Sequence, residues 1–76
     1  KDDHENVTLH GEAMYYNSRG NIVSMEDENQ LVVLEGINDC IVAQSEGVLL
    51  VCHRAEEQRI KEFTSDASER YDKKFD

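Results

Sequence analysis

The sequence contains no proline, no tryptophan and only two cysteines in 76 residues, and it is poor in positive charge. Eight Lys and Arg stand against 17 Asp and Glu, which gives a formal net charge of −9. A field of this sign repels the phosphate backbone of nucleic acids and anionic lipid surfaces, so we expect neither as a partner. A chain of this length builds one modest core, which argues against a complete enzyme with its own cleft.

Long apolar runs and a leader segment are also missing. The longest apolar run, residues 48–52, has five residues, whereas a membrane-spanning helix needs roughly 20. The chain opens with Lys and other polar residues, and no basic segment followed by an apolar one is present. We therefore expect a piece of a longer cytoplasmic protein, with residues 1–10 as a frayed polar linker.

Residues 11–53 are predicted to be rich in strands, because short apolar runs alternate there with turn-forming residues. The runs occupy residues 13–16, 22–25, 31–34, 40–43 and 48–52. The last four begin 9, 9 and 8 residues apart, which is a weak internal repeat. Such a repeat suits either the turns of a solenoid or an antiparallel meander.

Residues 54–76 are predicted to form a C-terminal helix and tail. Ile60, Phe63, Ala67 and Tyr71 are spaced 3, 4 and 4 residues apart, so on a helix they form one apolar stripe. We expect this stripe to dock on the runs at 31–34 and 48–52 and to close one face of the core.

The runs at 31–34 and 48–51 are apolar at every position, although successive side chains of a strand point to opposite faces. We expect Leu31, Val33, Ile41, Leu49 and Val51 to pack in the core with the helix stripe. One stripe is too narrow to cover both faces of two such strands. The pattern therefore predicts surplus apolar strand surface that contacts a neighbouring domain or subunit.

Asp39, Cys40, Cys52 and His53 form the one grouping that suggests chemistry. The cysteines lie 12 residues apart, and neither has the second close ligand that is typical of zinc sites. We interpret them as free thiols in a reducing cytosol. We predict no catalytic, cofactor-binding or metal-binding residue in the chain, and a small enzyme or metal protein built on this grouping is an alternative.

Four segments carry a resemblance to a known family. They are YYNSRGNIV at 15–23, LVVLEGINDCIVAQSEGVLLVC at 31–52, EEQRIKEF at 56–63 and YDKKF at 71–75. With their surroundings, about residues 11–75, they resemble the C-terminal region of bacterial mannose-1-phosphate guanylyltransferases.

The resemblance implies a parent enzyme that joins GTP and mannose 1-phosphate into GDP-mannose and pyrophosphate with Mg²⁺. It implies that the catalytic groups belong to an N-terminal nucleotidyltransferase domain, and that no catalytic residue is carried over to this chain. It also implies a mainly β fold with one C-terminal α-helix, a short left-handed parallel β-helix that contacts its own catalytic domain and supports a homo-oligomer.

Two alternatives stay open at this point. A regular left-handed β-helix has six-residue steps, which the spacing of 8 or 9 does not show, so an antiparallel meander packed on the helix is the alternative fold. An independent acidic protein-interaction module, unrelated to sugar nucleotides, is the alternative function.

Overall fold

A computed structural model describes residues 4–75, and the side chains of residues 4–71. The described part is mainly β, with one C-terminal α-helix, as predicted. The strands are β1 Val7–His10, β2 Glu12–Tyr16, β3 Ile22–Met25, β4 Leu31–Glu35, β5 Cys40–Ser45 and β6 Val48–His53. A 3-10 helix, Arg54–Arg59, leads into the helix α1, Ile60–Phe75.

From β1 to β5, consecutive strands alternate between two sheets. Sheet A has the order β1-β3-β5-β6, and sheet B contains β2 and β4. The pairs β1–β3, β3–β5 and β2–β4 are parallel, whereas β5 and β6 form an antiparallel hairpin. The alternative of an antiparallel meander is therefore wrong for every described strand pair except that hairpin.

This alternation explains the weak repeat in the sequence. The chain visits one strand of sheet B and then one strand of sheet A before it returns to sheet B. Every second apolar run therefore lies in a neighbouring parallel strand of the same sheet. Glu12 pairs with Leu31 and Ile22 pairs with Ile41, and hydrogen bonds join residues with a separation of 19, such as Ser18 and Ile37.

The core lies between the two sheets. Buried Val23, Met25 and Val42 from sheet A pack against Ala13, Tyr15, Val32 and Leu34 from sheet B. In β2 and β4 half-buried positions alternate with exposed ones, as the two-residue period of a pleated strand requires.

β1 lies where the sequence predicts a frayed linker. Residues 7–10 pair in parallel with β3, and the Val7 amide donates to the Asn21 carbonyl at 2.8 Å. Only Val7 and Leu9 are apolar in this strand, so its own sequence is a weak signal, and its pairing depends on the neighbouring strand. The prediction of a frayed linker is wrong for residues 7–10. Residues 1–3 of the predicted linker and residue 76 of the predicted tail lie outside the described residues.

The helix α1 does not dock on the strands as predicted. It continues directly from the 3-10 helix, and within the described residues it has no substantial contact with any strand. The 3-10 helix follows β6 directly and contacts β5 and β6, so it carries α1 away from the strands. Arg59 covers part of the stripe instead, with its guanidinium carbon 4.9 Å from the centre of the Phe63 ring.

Candidate functional site

An apolar groove opens between β4 and β6. It has a volume of about 360 Å³ and is lined by residues 30–34, Ile37, Leu49 and Val51, together with the core residues Met25 and Val42. The groove exists because sheet A has four strands and sheet B has two, so that no described strand of sheet B lies opposite β6.

Leu49 and Val51 lie on the same face of sheet A as the core residue Val42, but they are exposed to solvent. In the hairpin Val51 is paired with Val42 and Leu49 with Gln44, and directly paired side chains share one face of a sheet. Val42 is 4% exposed, whereas Val51 is 57% and Leu49 is 61% exposed. The same inner face is therefore covered at β5 and open at β6.

β4 forms the other wall of the groove. Its Val32 and Leu34 side chains point into the core, so Leu31 and Val33 face outward and are 54% and 55% exposed. β4 pairs with β2 on one side, and on its other side no strand is present in the described part of the chain. An edge strand of this kind offers unpaired backbone groups beside an apolar surface.

The residues predicted to pack divide into three groups. Ile41 is buried, and Ile60, Phe63 and Ala67 are half-buried. Leu31, Val33, Leu49, Val51 and Tyr71 are each more than half exposed. The prediction that these five residues pack within the chain is therefore wrong, because α1 lies elsewhere. The surplus apolar strand surface that the sequence predicts is present.

A set of buried polar side chains was not predicted. The Asn6 Oδ1 accepts hydrogen bonds from the Asn21 amide at 3.0 Å and from Asn21 Nδ2 at 2.9 Å. The Asn21 Oδ1 in turn accepts from the Cys40 amide at 2.9 Å. These bonds connect the chain at the start of β1, β3 and β5, the three parallel strands of sheet A.

Ser18 and Asn21 also hold the segment between β4 and β5. The Ile37 amide donates to Ser18 Oγ at 3.1 Å, and Asn21 Nδ2 donates to the Ile37 carbonyl at 2.6 Å. The signal that could have identified these residues is the Asn-Ser-x-x-Asn pattern of residues 17–21, where Asn and Ser suggest an exposed turn. Ser18 and Asn21 are buried here, and their side chains satisfy backbone groups of neighbouring strands.

The two thiols do not face each other. Cys40 is paired with His53 and Cys52 with Ile41, so the cysteines project from opposite faces of the hairpin. Both are free thiols, and burial raises the pKa of Cys52, with a smaller contribution from Cys40. Among the described residues no three His, Cys, Asp or Glu side chains come together as metal ligands.

No helix within the described residues is both long enough and apolar enough to cross a membrane.

The chain is similar in fold to the crystal structure of mannose-1-phosphate geranyltransferase from Thermus thermophilus. The TM-score is 0.74, with 23% sequence identity and 90% of this chain covered. The likeness is one of fold. This chain spans 20% of the length of that protein chain.

The chain matches no protein-family profile, and no curated protein matches it at a significant level.

Proposed function

We propose that the chain is a non-catalytic C-terminal structural and oligomerisation domain of a mannose-1-phosphate guanylyltransferase. The observation that carries the proposal is the fold likeness, at a TM-score of 0.74 over 90% of this chain, to a transferase named for mannose 1-phosphate. The chain spans 20% of that protein, and the larger remainder has room for the catalytic domain that 76 residues do not hold. The resemblance of residues 11–75 to the C-terminal region of this family supports the same placement.

In this proposal the strands form a short left-handed parallel β-helix-like solenoid. Support comes from the parallel pairing of β1–β3, β3–β5 and β2–β4 and from the alternation of the strands from β1 to β5 between two sheets. The hydrogen bonds that join Asn6, Asn21 and Cys40 between neighbouring strands are a further argument for stacked turns. The β5–β6 hairpin ends the solenoid.

The parent reaction joins GTP and mannose 1-phosphate into GDP-mannose and pyrophosphate. We assign GTP, Mg²⁺ and every catalytic group to the N-terminal domain of the parent, a cytoplasmic bacterial enzyme. The four glycines here are separated by 9, 16 and 11 residues, so the sequence contains no glycine-rich loop of the kind that binds phosphate. The task of this chain is to contact the catalytic domain and to hold subunits together through its apolar groove.

The residues encoded immediately upstream of Lys1 test the placement. A nucleotidyltransferase domain with a Gly-rich loop is the expected result, and a start codon or secretion signal at that point contradicts the proposal. The full-length protein is then assayed for pyrophosphate release from GTP and mannose 1-phosphate. We expect turnover by the full-length protein and none by the 76-residue chain, so turnover by the isolated chain also contradicts a non-catalytic role.

An independent acidic interaction module is the second candidate. The net charge of −9 favours it. This alternative requires a natural start close to Lys1, and it predicts no release of pyrophosphate by the full-length protein. The same two experiments therefore separate the candidates.

A further inference from the structure

We infer that the groove between β4 and β6 binds the α1 helix of a second copy of this chain, and that the two copies exchange helices reciprocally. The inference rests on the proposed assembly function and deepens it, because it names the partner and the two surfaces that meet. One surface is the groove with Leu31, Val33, Leu49 and Val51, and the other is the stripe of Ile60, Phe63, Ala67 and Tyr71.

The dimensions and spacing of α1 suit the groove. Its backbone is helical without interruption over residues 60–70, up to a kink at Tyr71 (φ −134°), and this part is about 17 Å long at 1.5 Å per residue, as long as the five residues of β4. The helix is therefore long enough to span the groove. A helix that binds in an apolar groove presents anchors at positions i, i+3 and i+7, which is the spacing of Ile60, Phe63 and Ala67.

Charge selects the helix over the strands as the partner of the groove. Residues 1–53 carry 10 acidic and 2 basic side chains, a net charge of −8, whereas residues 54–76 carry 7 acidic and 6 basic side chains, a net charge of −1. Contact between the strand parts of two copies brings two strongly negative regions together. Contact between the nearly neutral helix and the strand part avoids this repulsion.

The start of the 3-10 helix keeps α1 away from its own groove. The Arg54 amide donates to the Asp39 carbonyl at 2.8 Å, and Arg54 Nη1 donates to the Gly20 carbonyl at 3.0 Å. These bonds anchor the helical segment at the end of sheet A where β3 and β5 begin. With this anchor in place, α1 is directed outward, and a two-fold arrangement lets each copy cover the groove of the other.

Three single substitutions and one mixture test the exchange by sedimentation equilibrium. Leu49→Glu places a charge in the groove, and Phe63→Glu places one in the stripe. Leu9→Glu is the matched control, because Leu9 lies on β1 and is 61% exposed, as Leu49 is. Circular dichroism of each variant verifies that the strands and the helix are retained.

We expect the unaltered chain to dimerise, and we expect each of L49E and F63E to raise the dissociation constant of the dimer by about tenfold or more. The control L9E should leave it unchanged. An equal mixture of L49E and F63E should associate more tightly than either variant alone, because the intact helix of L49E meets the intact groove of F63E.

The outcomes separate this inference from the proposed function. Dimers that L49E and F63E leave intact, or a mixture that associates no better than its components, overturn helix exchange and leave the assembly role standing. An unaltered chain that is monomeric at every concentration overturns the assembly role and the exchange together. If L9E weakens the dimer as strongly as L49E does, the surface assigned to the contact is wrong.

Discussion

Asn21 shows how a single polar residue fixes the order of the parallel strands. Its side chain accepts from the Cys40 amide and donates to the Asn6 side chain and the Ile37 carbonyl. A buried amide that loses its partner costs about 1–3 kcal/mol, so each of these groups depends on Asn21.

We therefore expect Asn21→Ala to lower the free energy of unfolding by about 2 kcal/mol or more, because it leaves several buried groups without a partner. Urea denaturation followed by circular dichroism measures the change. Asn29→Ala, at an exposed position in the loop between β3 and β4, is the control and should lie within about 0.5 kcal/mol of the unaltered chain. Equal stability of the two variants would show that the buried asparagine adds nothing.

Gly20 allows the chain to pass close to Asp39. Its φ is +73°, and a Cβ at this position would lie 2.5 Å from the Asp39 Oδ1. Gly36 has a similar φ of +67°, but no atom lies within 4 Å of a Cβ there.

Gly20→Ala and Gly36→Ala thus share the strain of a left-handed backbone, about 1–2 kcal/mol, and differ in crowding. We expect Gly20→Ala to be the less stable variant, with a lower midpoint of urea denaturation. The difference between the two midpoints measures the destabilisation that results from the close approach to Asp39. Equal midpoints would mean that the Asp39 side chain moves aside freely.

At the scale of elements, the sequence predicts β2 to β6 well and fails on β1 and on the position of α1. The runs at 22–25, 31–34 and 48–52 match β3, β4 and β6 to within one residue, because each is a mainly apolar segment between turn residues. β1 has only two apolar residues and owes its pairing to β3. The docking of α1 could not be predicted, because an apolar stripe indicates that a helix face needs cover and does not specify which chain provides it.

The ion pairs of the helical segment also give α1 a dependence on pH. Arg59 Nε donates to Glu62 Oε1 at 3.0 Å, and Arg59 Nη1 donates to Glu56 Oε1 at 3.0 Å. The hydrogen bond from Arg59, with its charge, lowers the pKa of Glu62 below its ordinary value of 4.5. A group whose pKa is lowered by folding stabilises the folded state above its unfolded pKa, and this contribution disappears as the pH falls through the folded pKa.

We therefore expect the helix content to be constant at neutral pH and to fall as the pH decreases below about 4.5. Circular dichroism of the unaltered chain and of Glu62→Gln, recorded over an acid titration, measures this. The variant lacks the titrating carboxyl group, so its helix content should be lower at neutral pH and should change less on acidification. Identical titration curves would assign the acid response to other carboxylates.

At the scale of the whole molecule, the two sheets differ in size and the helix is attached at one end. The four strands of sheet A extend beyond the two strands of sheet B, which leaves the inner face of β6 open. The sequence indicates this imbalance through the apolar runs at 31–34 and 48–51, yet it does not show which strands lie opposite each other. That assignment depends on contacts between residues distant in sequence, such as the packing of Val42 and its buried neighbours in sheet A against Ala13 and Tyr15 of sheet B.

Because α1 has no substantial contact with the described strands, its removal should leave the β fold intact. A chain that ends at Arg59 keeps the hydrogen bond of Arg54 to Gly20 and all six described strands. At a protein concentration where the intact chain is monomeric, we expect the free energy of unfolding to change by about 1 kcal/mol or less. A chain that ends at Gly47 is the control: it also lacks β6, so the edge of β5 and the side chain of Val42 lose their cover, and we expect it to be largely unfolded. Urea denaturation of the three chains measures the difference, and loss of the β fold in the chain that ends at Arg59 would show that α1 stabilises the strands of its own copy.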